Sequence, residues 1–351
     1  MRLLLVLLLF GALSLVACAA GAGPSAPAAA PGAGQAASAA APPSPTPVRL
    51  RAAYTSVSGV MAPIWVANDS GLFAQEGLDV EVSAFPSGNE GIQALMAGEV
   101  DFLQIAGSTT VSAALGGGDT LVVATTVRTI IQSLLARPEI ARPEDLQGKA
   151  VGISRRGTSI DTAARVAIRH FGFEPDRDVA IVQAGTMTNI VGAMESDRVQ
   201  AGILSYPQVT IAKRMGFREL LDLGTLGIPY AGTGVSTRRS LAAQQPDVVQ
   251  RYLRAELAAI HRLRTDRALA LSVFRDYLRT DDQEVLDDTY DVYVLKYLES
   301  VPYPDDASIQ GVLDELALEV PRAREVSPSE FYDARFVRAL DESGYVRSLG
   351  R

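Results

Sequence analysis

The feature that most limits the possible folds is a strand–helix alternation that runs once and then starts again. From Val48 to Thr126, short apolar runs predicted as strands alternate with stretches predicted as helices. A second series begins with strand-like residues 132–136 and 150–153 and ends near Leu223. Such alternation indicates mainly parallel sheets with helices on both faces. Because roughly 300 residues exceed what one core usually supports, we predict two doubly wound α/β lobes.

A weak internal echo supports two related lobes. Ala94–Phe102 reads ALMAGEVDF, and Ala193–Gly202 reads AMESDRVQAG. In both segments a predicted helix ends in a short polar turn and leads into a strand. The echo suggests that the two lobes share one plan.

After Gly232 the chain becomes helical. Pro246–Leu278, Asp281–Leu298 and Asp305–Leu318 carry apolar residues at three- and four-residue spacing, which is typical of amphipathic helices. We expect this C-terminal helical tail to pack on the first lobe.

This organisation sets the predicted boundaries. Lobe 1 comprises residues 48–130 plus 230–351, and lobe 2 comprises residues 131–229. Two chain crossings, near Val127–Ile131 and near Pro229–Val235, then form a two-segment hinge.

The N-terminus has the pattern of an export signal. Arg2 precedes an uncharged apolar run, Leu3–Ala17, that is shorter than the roughly 20 residues of a membrane span. Leu15–Cys18 looks like a bacterial lipobox, in which cleavage leaves an N-terminal cysteine that carries lipid. An ordinary signal peptide cut beyond Cys18 is the alternative, but Cys18 is the only cysteine of the chain. We predict a signal peptide over residues 1–17 and lipidation of Cys18.

The segment that follows predicts a tether. Residues 19–47 are all Ala, Gly, Pro, Ser, Thr or Gln, with no charge. Such a composition cannot bury enough apolar surface to offset chain entropy. We therefore expect a disordered tether over residues 18–47 that holds the body at the extracytoplasmic face of the cell membrane.

Composition excludes several functions for the body. The net charge of −8 argues against a nucleic-acid partner. With Cys18 assigned to lipid, the body has no cysteine, and its two histidines, His170 and His261, have no metal-ligand spacing. We predict no enzyme activity, no cofactor and no metal site.

Several segments resemble a known family when they are taken together in order. The matching stretches are Ala62–Ala67 (APIWVA), Gly71–Phe73 (GLF), Glu76–Glu81 (EGLDVE), Gly98–Asp101 (GEVD) and Pro143–Gly152 (PEDLQGKAVG). The chain resembles the periplasmic solute-binding proteins of ABC importers in the NMT1/THI5-like group, which includes sulfonate, nitrate and thiamine-precursor receptors. The resemblance implies a bilobal type II binding-protein fold. It also implies a monomer that closes on a small-molecule ligand and docks on an ABC permease in the membrane.

The ligand site is predicted from the ends of the strands. In open α/β sheets, ligands bind beyond the carboxyl ends of strands, where helix N-termini expose N–H groups. This rule selects residues 55–59, 87–89, 107–109 and 156–159. The candidate ligand contacts in these segments are Ser58, Asn89, Ser108, Thr109, Arg156, Thr158 and Ser159.

Some of these residues have simpler alternative roles. Ser108 and Ser159 are suited to cap the helices that follow them. Of Arg155 and Arg156, at most one is expected to face the cleft, since adjacent residues at a strand end point in opposite directions.

Two aromatic residues are candidates for stacking on a ring-bearing ligand. Trp65, the only tryptophan, lies on a predicted helix and is also suited to the core. Tyr206 is predicted to start a helix capped by Ser205.

These candidates leave two ligand classes open. Arg156 and Ser108 suit an anion such as an aliphatic sulfonate or nitrate, and Trp65 and Tyr206 suit a heteroaromatic vitamin precursor such as a pyrimidine or flavin. We favour the heteroaromatic ligand, because the candidates form no dense anion cage. Two functions of other classes also remain open. One is a pyrimidine-forming enzyme of the same superfamily, which the lack of cysteine in the body argues against, and the other is a tethered sensory lipoprotein.

Overall fold

The predicted alternation folds into two five-stranded sheets in a computed structural model that describes residues 47–350. The predicted signal peptide, the lipidation site Cys18 and the tether up to residue 46 lie outside the described residues.

The first sheet has the strand order β2-β1-β3-β10-β4. Its strands are β1 (Val48–Tyr54), β2 (Leu78–Ala84), β3 (Phe102–Ile105), β4 (Leu121–Thr129) and β10 (Pro229–Thr237). Strand β1 is parallel to both β2 and β3, whereas β10 is antiparallel to both of its neighbours.

The second sheet repeats this plan in the order β7-β6-β8-β5-β9. Its strands are β5 (Ser133–Ala136), β6 (Ala150–Ile153), β7 (Ala180–Gln183), β8 (Ala201–Leu204) and β9 (Arg218–Asp222). Here β6 is parallel to β7 and β8, and β5 is antiparallel to both of its neighbours. Below, lobe 1 and lobe 2 denote the first and second sheets with the helices packed on them.

The echo seen in the sequence occupies equivalent places in the two sheets. Helix α3 leads into β3, and helix α6 leads into β8. In each sheet the antiparallel strand in the fourth position connects directly to the other lobe. The chain crosses between β4 and β5, and again between β9 and β10.

Fourteen α-helices lie in the described part of the chain. They are α1 (Ala62–Asp69), α2 (Leu72–Gln75), α3 (Gly88–Ala97), α4 (Gly107–Leu115), α5 (Ser159–His170), α6 (Met187–Glu195), α7 (Gln208–Arg214), α8 (Arg239–Gln244), α9 (Pro246–Thr265), α10 (Arg267–Leu278), α11 (Gln283–Tyr290), α12 (Asp306–Leu316), α13 (Arg335–Glu342) and α14 (Tyr345–Leu349). A π-helical segment, Asp291–Tyr297, continues from α11.

The long helix predicted over Pro246–Leu278 is broken in the structure. Helix α9 ends at Thr265, and α10 starts at Arg267. The break falls at Asp266, whose carboxylate accepts a hydrogen bond from Leu269 N at 2.9 Å. An aspartate in this position satisfies a free N–H group of the second helix and so favours a new start.

Most of the helical tail packs on lobe 1, as predicted. Helix α9 packs on α1, α2, α8, α13 and α14, and one apolar core combines these helices with the first sheet. Helix α12 differs, because its Ile309, Val312 and Leu313 belong to a core that continues into lobe 2. The two-lobed α/β fold with a C-terminal helical tail is thus confirmed.

None of the helices between residues 47 and 350 has both the length and the apolar character that a membrane crossing requires.

Candidate functional site

A cavity of about 650 Å³ lies between the lobes, and six strand ends supply most of its wall. Lobe 1 contributes the residues that follow β1, β2 and β3, and lobe 2 contributes those that follow β6, β7 and β8. These are equivalent strands of the two sheets. The carboxyl ends of the parallel strands therefore face each other, which is where ligands bind in open α/β sheets.

The polar part of the cavity wall consists of neutral groups. Hydroxyl and amide side chains that line it are Thr55, Ser56, Ser58, Ser87, Thr109, Gln132, Ser154, Thr158, Ser159, Thr186, Thr188, Asn189, Ser205, Gln208 and Thr233. Apolar side chains that line it are Val57, Val60, Met61, Phe85, Pro86, Ile105, Ala106, Ile160, Met187 and Leu278. Such a wall suits an organic ligand with both an apolar part and groups that accept or donate hydrogen bonds.

Arg155 is the one charged side chain among the described residues that line the cavity. Its Nη1 lies 2.9 Å from Oε1 of Glu90, which belongs to lobe 1. The cation is therefore paired across the cleft.

Four helices of eight or more residues point their N-termini at the cavity. Helices α3 and α4 belong to lobe 1, and α5 and α6 belong to lobe 2. Ser87 caps α3 and Thr186 caps α6, whereas no side chain caps α4 or α5. Free N–H groups at a helix N-terminus carry partial positive charge. The helix N-termini therefore favour a negatively charged ligand group in the cavity, although the side chains that line it are almost all neutral.

Four of the predicted contact residues line this cavity, and a fifth lies next to a residue of its lining. Ser58, Thr109, Thr158 and Ser159 line it. Asn89 lies at the rim, where its Nδ2 donates a hydrogen bond to the carbonyl oxygen of Arg156 at 3.3 Å. Thr158 is the N-cap residue of α5, so Ser159 is the first residue of that helix and does not cap it.

The structure places Ser108 behind the cavity wall. Helix α4 starts at Gly107 with Ala106 as its N-cap residue, so the predicted capping role of Ser108 is wrong. Ser108 is buried and does not line the cavity. Its hydroxyl lies beside Tyr230, whose pKa is raised to about 12 by burial against the opposing effect of the Ser108 and Thr162 hydroxyl groups.

Of the two neighbouring arginines, Arg155 faces the cleft and Arg156 does not. Arg156 donates two hydrogen bonds to the carboxylate of Asp176, at 2.7 and 3.0 Å, and a third to the carbonyl oxygen of Ile181. The paired arginine in turn holds the pKa of Asp176 below its usual value. The predicted ligand contact of Arg156 is therefore replaced by a structural ion pair within lobe 2.

Trp65 lies in the core of lobe 1 and not in the cavity. Its side chain is 0% exposed, and its ring stacks on Tyr277 with centroids 4.5 Å apart and planes 7° apart. The helix face that carries Trp65 is covered by the helical tail, so the predicted stacking on a ligand is not available to it.

Tyr206 also lies outside the cavity lining. Helix α7 starts at Gln208, so the prediction that Tyr206 starts a helix capped by Ser205 is wrong. A cis peptide bond joins Tyr206 to Pro207, and the Tyr206 ring packs edge-on against Tyr293 with centroids 6.1 Å apart.

The backbone of Tyr206 takes part in a contact between the lobes. Tyr206 N donates to the Tyr293 hydroxyl at 2.9 Å, and the Ser58 hydroxyl donates to the carbonyl oxygen of Tyr206 at 3.0 Å. Burial raises the pKa of Tyr293 to about 12, so its hydroxyl stays protonated near neutral pH. This cluster joins the floor of the cavity to the π-helical segment.

Sequence reasoning missed part of the lining. The residues that follow β7, Thr186–Asn189, satisfy the same strand-end rule that selected the other segments, and applying the rule to every strand would have found them. Gln132 lies on the crossing between β4 and β5, and Thr233 lies on β10, the strand that follows the second crossing. Nothing in their local sequence marks them, because the crossings become part of the wall only when both lobes are in place.

Within residues 47–350, no group of three or more His, Cys, Asp or Glu side chains is arranged to hold a metal ion.

Two similar α/β lobes with a cavity between facing strand ends define the fold of the periplasmic binding proteins. Residues 58–266 match the family model described as NMT1/THI5 like. The chain belongs to the NMT1/THI5-like family, as its sequence motifs predicted.

Individual relatives agree with this assignment. The chain is 26% identical over 270 residues to a Brucella abortus protein named as a candidate binding protein, covering 74% of this chain and 82% of the relative. It is similar in structure to the alkanesulfonate-binding protein of Xanthomonas axonopodis pv. citri bound to MOPS, with TM-score 0.70, 19% identity, and coverage of 83% of this chain and 99% of that one. It is also similar to the periplasmic nitrate-binding protein of Synechocystis PCC 6803, with TM-score 0.69, 14% identity, and coverage of 85% and 89%.

Proposed function

We propose that this protein is an extracytoplasmic receptor that captures a small organic anion between its lobes and delivers it to an ABC permease. The permease partner and the location are supported by the family and by the named functions of the structural neighbours. We also propose that lobe 1 comprises residues 48–130 plus 230–351 and that lobe 2 comprises residues 131–229. A lipid anchor at Cys18 would hold the receptor beside its permease.

The observation that carries the ligand class is the set of helix N-termini around a wall of neutral side chains. Two of these N-termini, those of α4 and α5, lack a side-chain cap and come from opposite lobes. An anionic group between them would accept hydrogen bonds from both lobes and so favour the closed form. A cation would find no unpaired carboxylate among the described lining residues.

Cavity size and lining refine the class further. A volume of about 650 Å³ is far larger than a nitrate ion needs, and the apolar residues offer a surface for an organic body. A sulfonate with an alkyl or small cyclic substituent fits both requirements. Neither Trp65 nor Tyr206, the two residues predicted to stack on a heteroaromatic ligand, lines the cavity. Phe85 is the one aromatic side chain among the described residues of the lining.

Thermal denaturation of the full-chain protein with a panel of ligands tests this proposal. A ligand present at a hundred times its dissociation constant adds about 2.7 kcal/mol of stability. We expect stabilisation by hexanesulfonate and MOPS, and none by nitrate. Stabilisation by an aminopyrimidine or riboflavin alone would restore the heteroaromatic class, and a lack of response to all of these compounds would contradict the proposed ligand class.

The two aromatic positions give a paired prediction. Replacing the buried Trp65 by phenylalanine should lower the free energy of unfolding by about 1–3 kcal/mol and leave the affinity for hexanesulfonate unchanged. Replacing Phe85 by alanine should weaken that affinity and change stability less, since Phe85 is only half-buried and lines the cavity. Urea denaturation and calorimetric titration of both variants check this, and a loss of affinity in Trp65→Phe alone would contradict it.

A further inference from the structure

Two segments from opposite lobes meet at the rim of the cavity. One is the first turn of α3 in lobe 1, and the other is the loop before α5 in lobe 2. Glu90 and Arg155 form an ion pair between them at 2.9 Å, and Asn89 donates its hydrogen bond to the carbonyl oxygen of Arg156 beside it. These contacts exist only while the lobes are together.

The carboxylate of Glu90 is held in place by its own helix. Ser87, the N-cap residue of α3, accepts a hydrogen bond from Glu90 N at 3.4 Å and donates one to Glu90 Oε1 at 3.3 Å. A carboxylate in the first turn of a helix is also favoured by the partial positive charge there. Oε1 is the same oxygen that pairs with Arg155.

The loop that carries Arg155 is held equally firmly. The Thr158 hydroxyl donates to the carbonyl oxygen of Arg155 at 2.7 Å, and Gly157 N donates to the buried Asp161 at 2.8 Å. Gly157 has φ +75, a conformation that glycine adopts readily. With Arg156 fixed on Asp176, the chain turns Arg155 towards the cleft.

We propose that Glu90 and Arg155 form a charge latch, which closes the lobes over the ligand and limits the cavity to ligands with a single negative charge. This inference rests on the proposed receptor function. Both side chains are partly exposed, at 51% for Arg155 and 37% for Glu90, so the pair stabilises the closed form only modestly. A modest difference suits a latch, because it biases the equilibrium between open and closed forms without trapping the ligand.

The preference for a single negative charge follows because Glu90 neutralises the charge of Arg155. Because Glu90 pairs with Arg155, the described side chains of the lining provide no free cation. One anionic group is accommodated by the uncapped N-termini of α4 and α5. A second would meet only the capped N-termini of α3 and α6 and the neutralised Arg155, and would lose its hydration. Glu90 is thereby a residue that determines specificity without lining the cavity.

Charge reversal tests the latch. Calorimetric titration of the full-chain protein with propanesulfonate should show roughly three- to tenfold weaker affinity for Arg155→Glu and for Glu90→Arg, since like charges then face each other. The double variant restores an ion pair and should return to within about twofold of the original protein. A double variant that binds as weakly as Arg155→Glu would show that Arg155 contacts the ligand itself, and would overturn the latch.

Two exposed residues serve as matched controls. Glu99→Arg and Arg198→Glu make the same charge changes on lobes 1 and 2 at exposed positions away from the cavity. Both should leave propanesulfonate affinity within about twofold of the original protein. A loss in the controls equal to that in the rim variants would assign the effect to net charge and overturn the proposal.

Glu90→Gln tests the charge preference. Removing the carboxylate frees Arg155, so the affinity ratio of propane-1,3-disulfonate to propanesulfonate should rise roughly fivefold. An unchanged ratio would overturn the specificity role of Glu90.

A ligand-free measurement separates the latch from the ligand class. Small-angle X-ray scattering without ligand should give a larger radius of gyration for each single reversal and a value near the original for the double variant. Equal radii in all four proteins would overturn the latch. If the original protein fails to bind propanesulfonate but the scattering pattern holds, the latch stands and only the proposed ligand class fails.

Discussion

Replacing Glu256 by glutamine is expected to stabilise the protein above pH 7 and to flatten its loss of stability with rising pH. Glu256 lies on α9 with a side chain that is 1% exposed, and no hydrogen bond to its carboxyl oxygens is found within the described residues. Burial raises its pKa from 4.5 to about 8, although the Tyr252 phenol lowers it somewhat. The folded protein therefore keeps this group protonated at neutral pH.

The sign of the pH dependence follows from this raised pKa. Below about pH 4.5 the group is protonated in both states and contributes no pH dependence. Between pH 4.5 and about 8, the unfolded chain releases the proton while the folded protein keeps it, so stability falls as pH rises. At 1.36 kcal/mol per pH unit over this interval, the loss is about 5 kcal/mol. Above about pH 8 both states have released the proton and the penalty stays constant.

Urea denaturation at pH 5, 7 and 8.5 checks this expectation. The Glu256→Gln variant should lie within about 1 kcal/mol of the original protein at pH 5 and exceed it by roughly 4–5 kcal/mol at pH 8.5. Glu99→Gln, at an exposed position, is the control and should follow the original protein throughout. Parallel pH profiles for Glu256→Gln and the original protein would show that the buried carboxyl does not set the pH dependence.

Replacing Gly311 by alanine is the second change with a large expected effect. Gly311 lies inside α12, where a glycine usually costs about 1 kcal/mol relative to alanine. A Cβ added there would lie only 1.9 Å from the carbonyl oxygen of Pro229, the first residue of β10. Because the β10 backbone cannot move aside as a flexible side chain can, the substitution should push α12 away from β10. We expect a loss of roughly 2–3 kcal/mol.

Gly192 provides a matched control for this substitution. It also lies inside a helix, α6, but an added Cβ would meet nothing within 4 Å. Gly192→Ala should therefore stabilise by about 0.5–1 kcal/mol. Denaturation of both variants measures the contrast. Stabilisation by both alanines would show that α12 does not contact β10 as closely as described.

The fold was predictable because its signals are local. Strand runs such as β1 and β6 are bounded by turn residues in the sequence itself. Strand β1 starts at the predicted Val48, and β6 matches the predicted residues 150–153. The repeat of the alternation, together with the chain length, then required a second lobe. The parallel strands also placed Ser58, Thr109, Thr158 and Ser159 at the cavity through a rule that needs only the order of elements.

The remaining site predictions depended on distant partners. The side of α1 that becomes core is set by the tail, and Trp65 is covered by Tyr277, a residue more than 200 positions away. The orientation of Arg156 is set by Asp176 and that of Arg155 by Glu90. The sequence predicts that at most one of two adjacent arginines faces a cleft, but the choice depends on which carboxylates the fold brings near.

We propose that the cavity selects an organic ligand by one negative charge held at helix N-termini. Calorimetric titration with hexanesulfonate and with its neutral analogue hexanesulfonamide isolates the effect of that charge, because the two compounds share the same tail and nearly the same head group. We expect the sulfonate to bind at least about tenfold more tightly, a difference of about 1.4 kcal/mol. Equal affinities for the two compounds would contradict it.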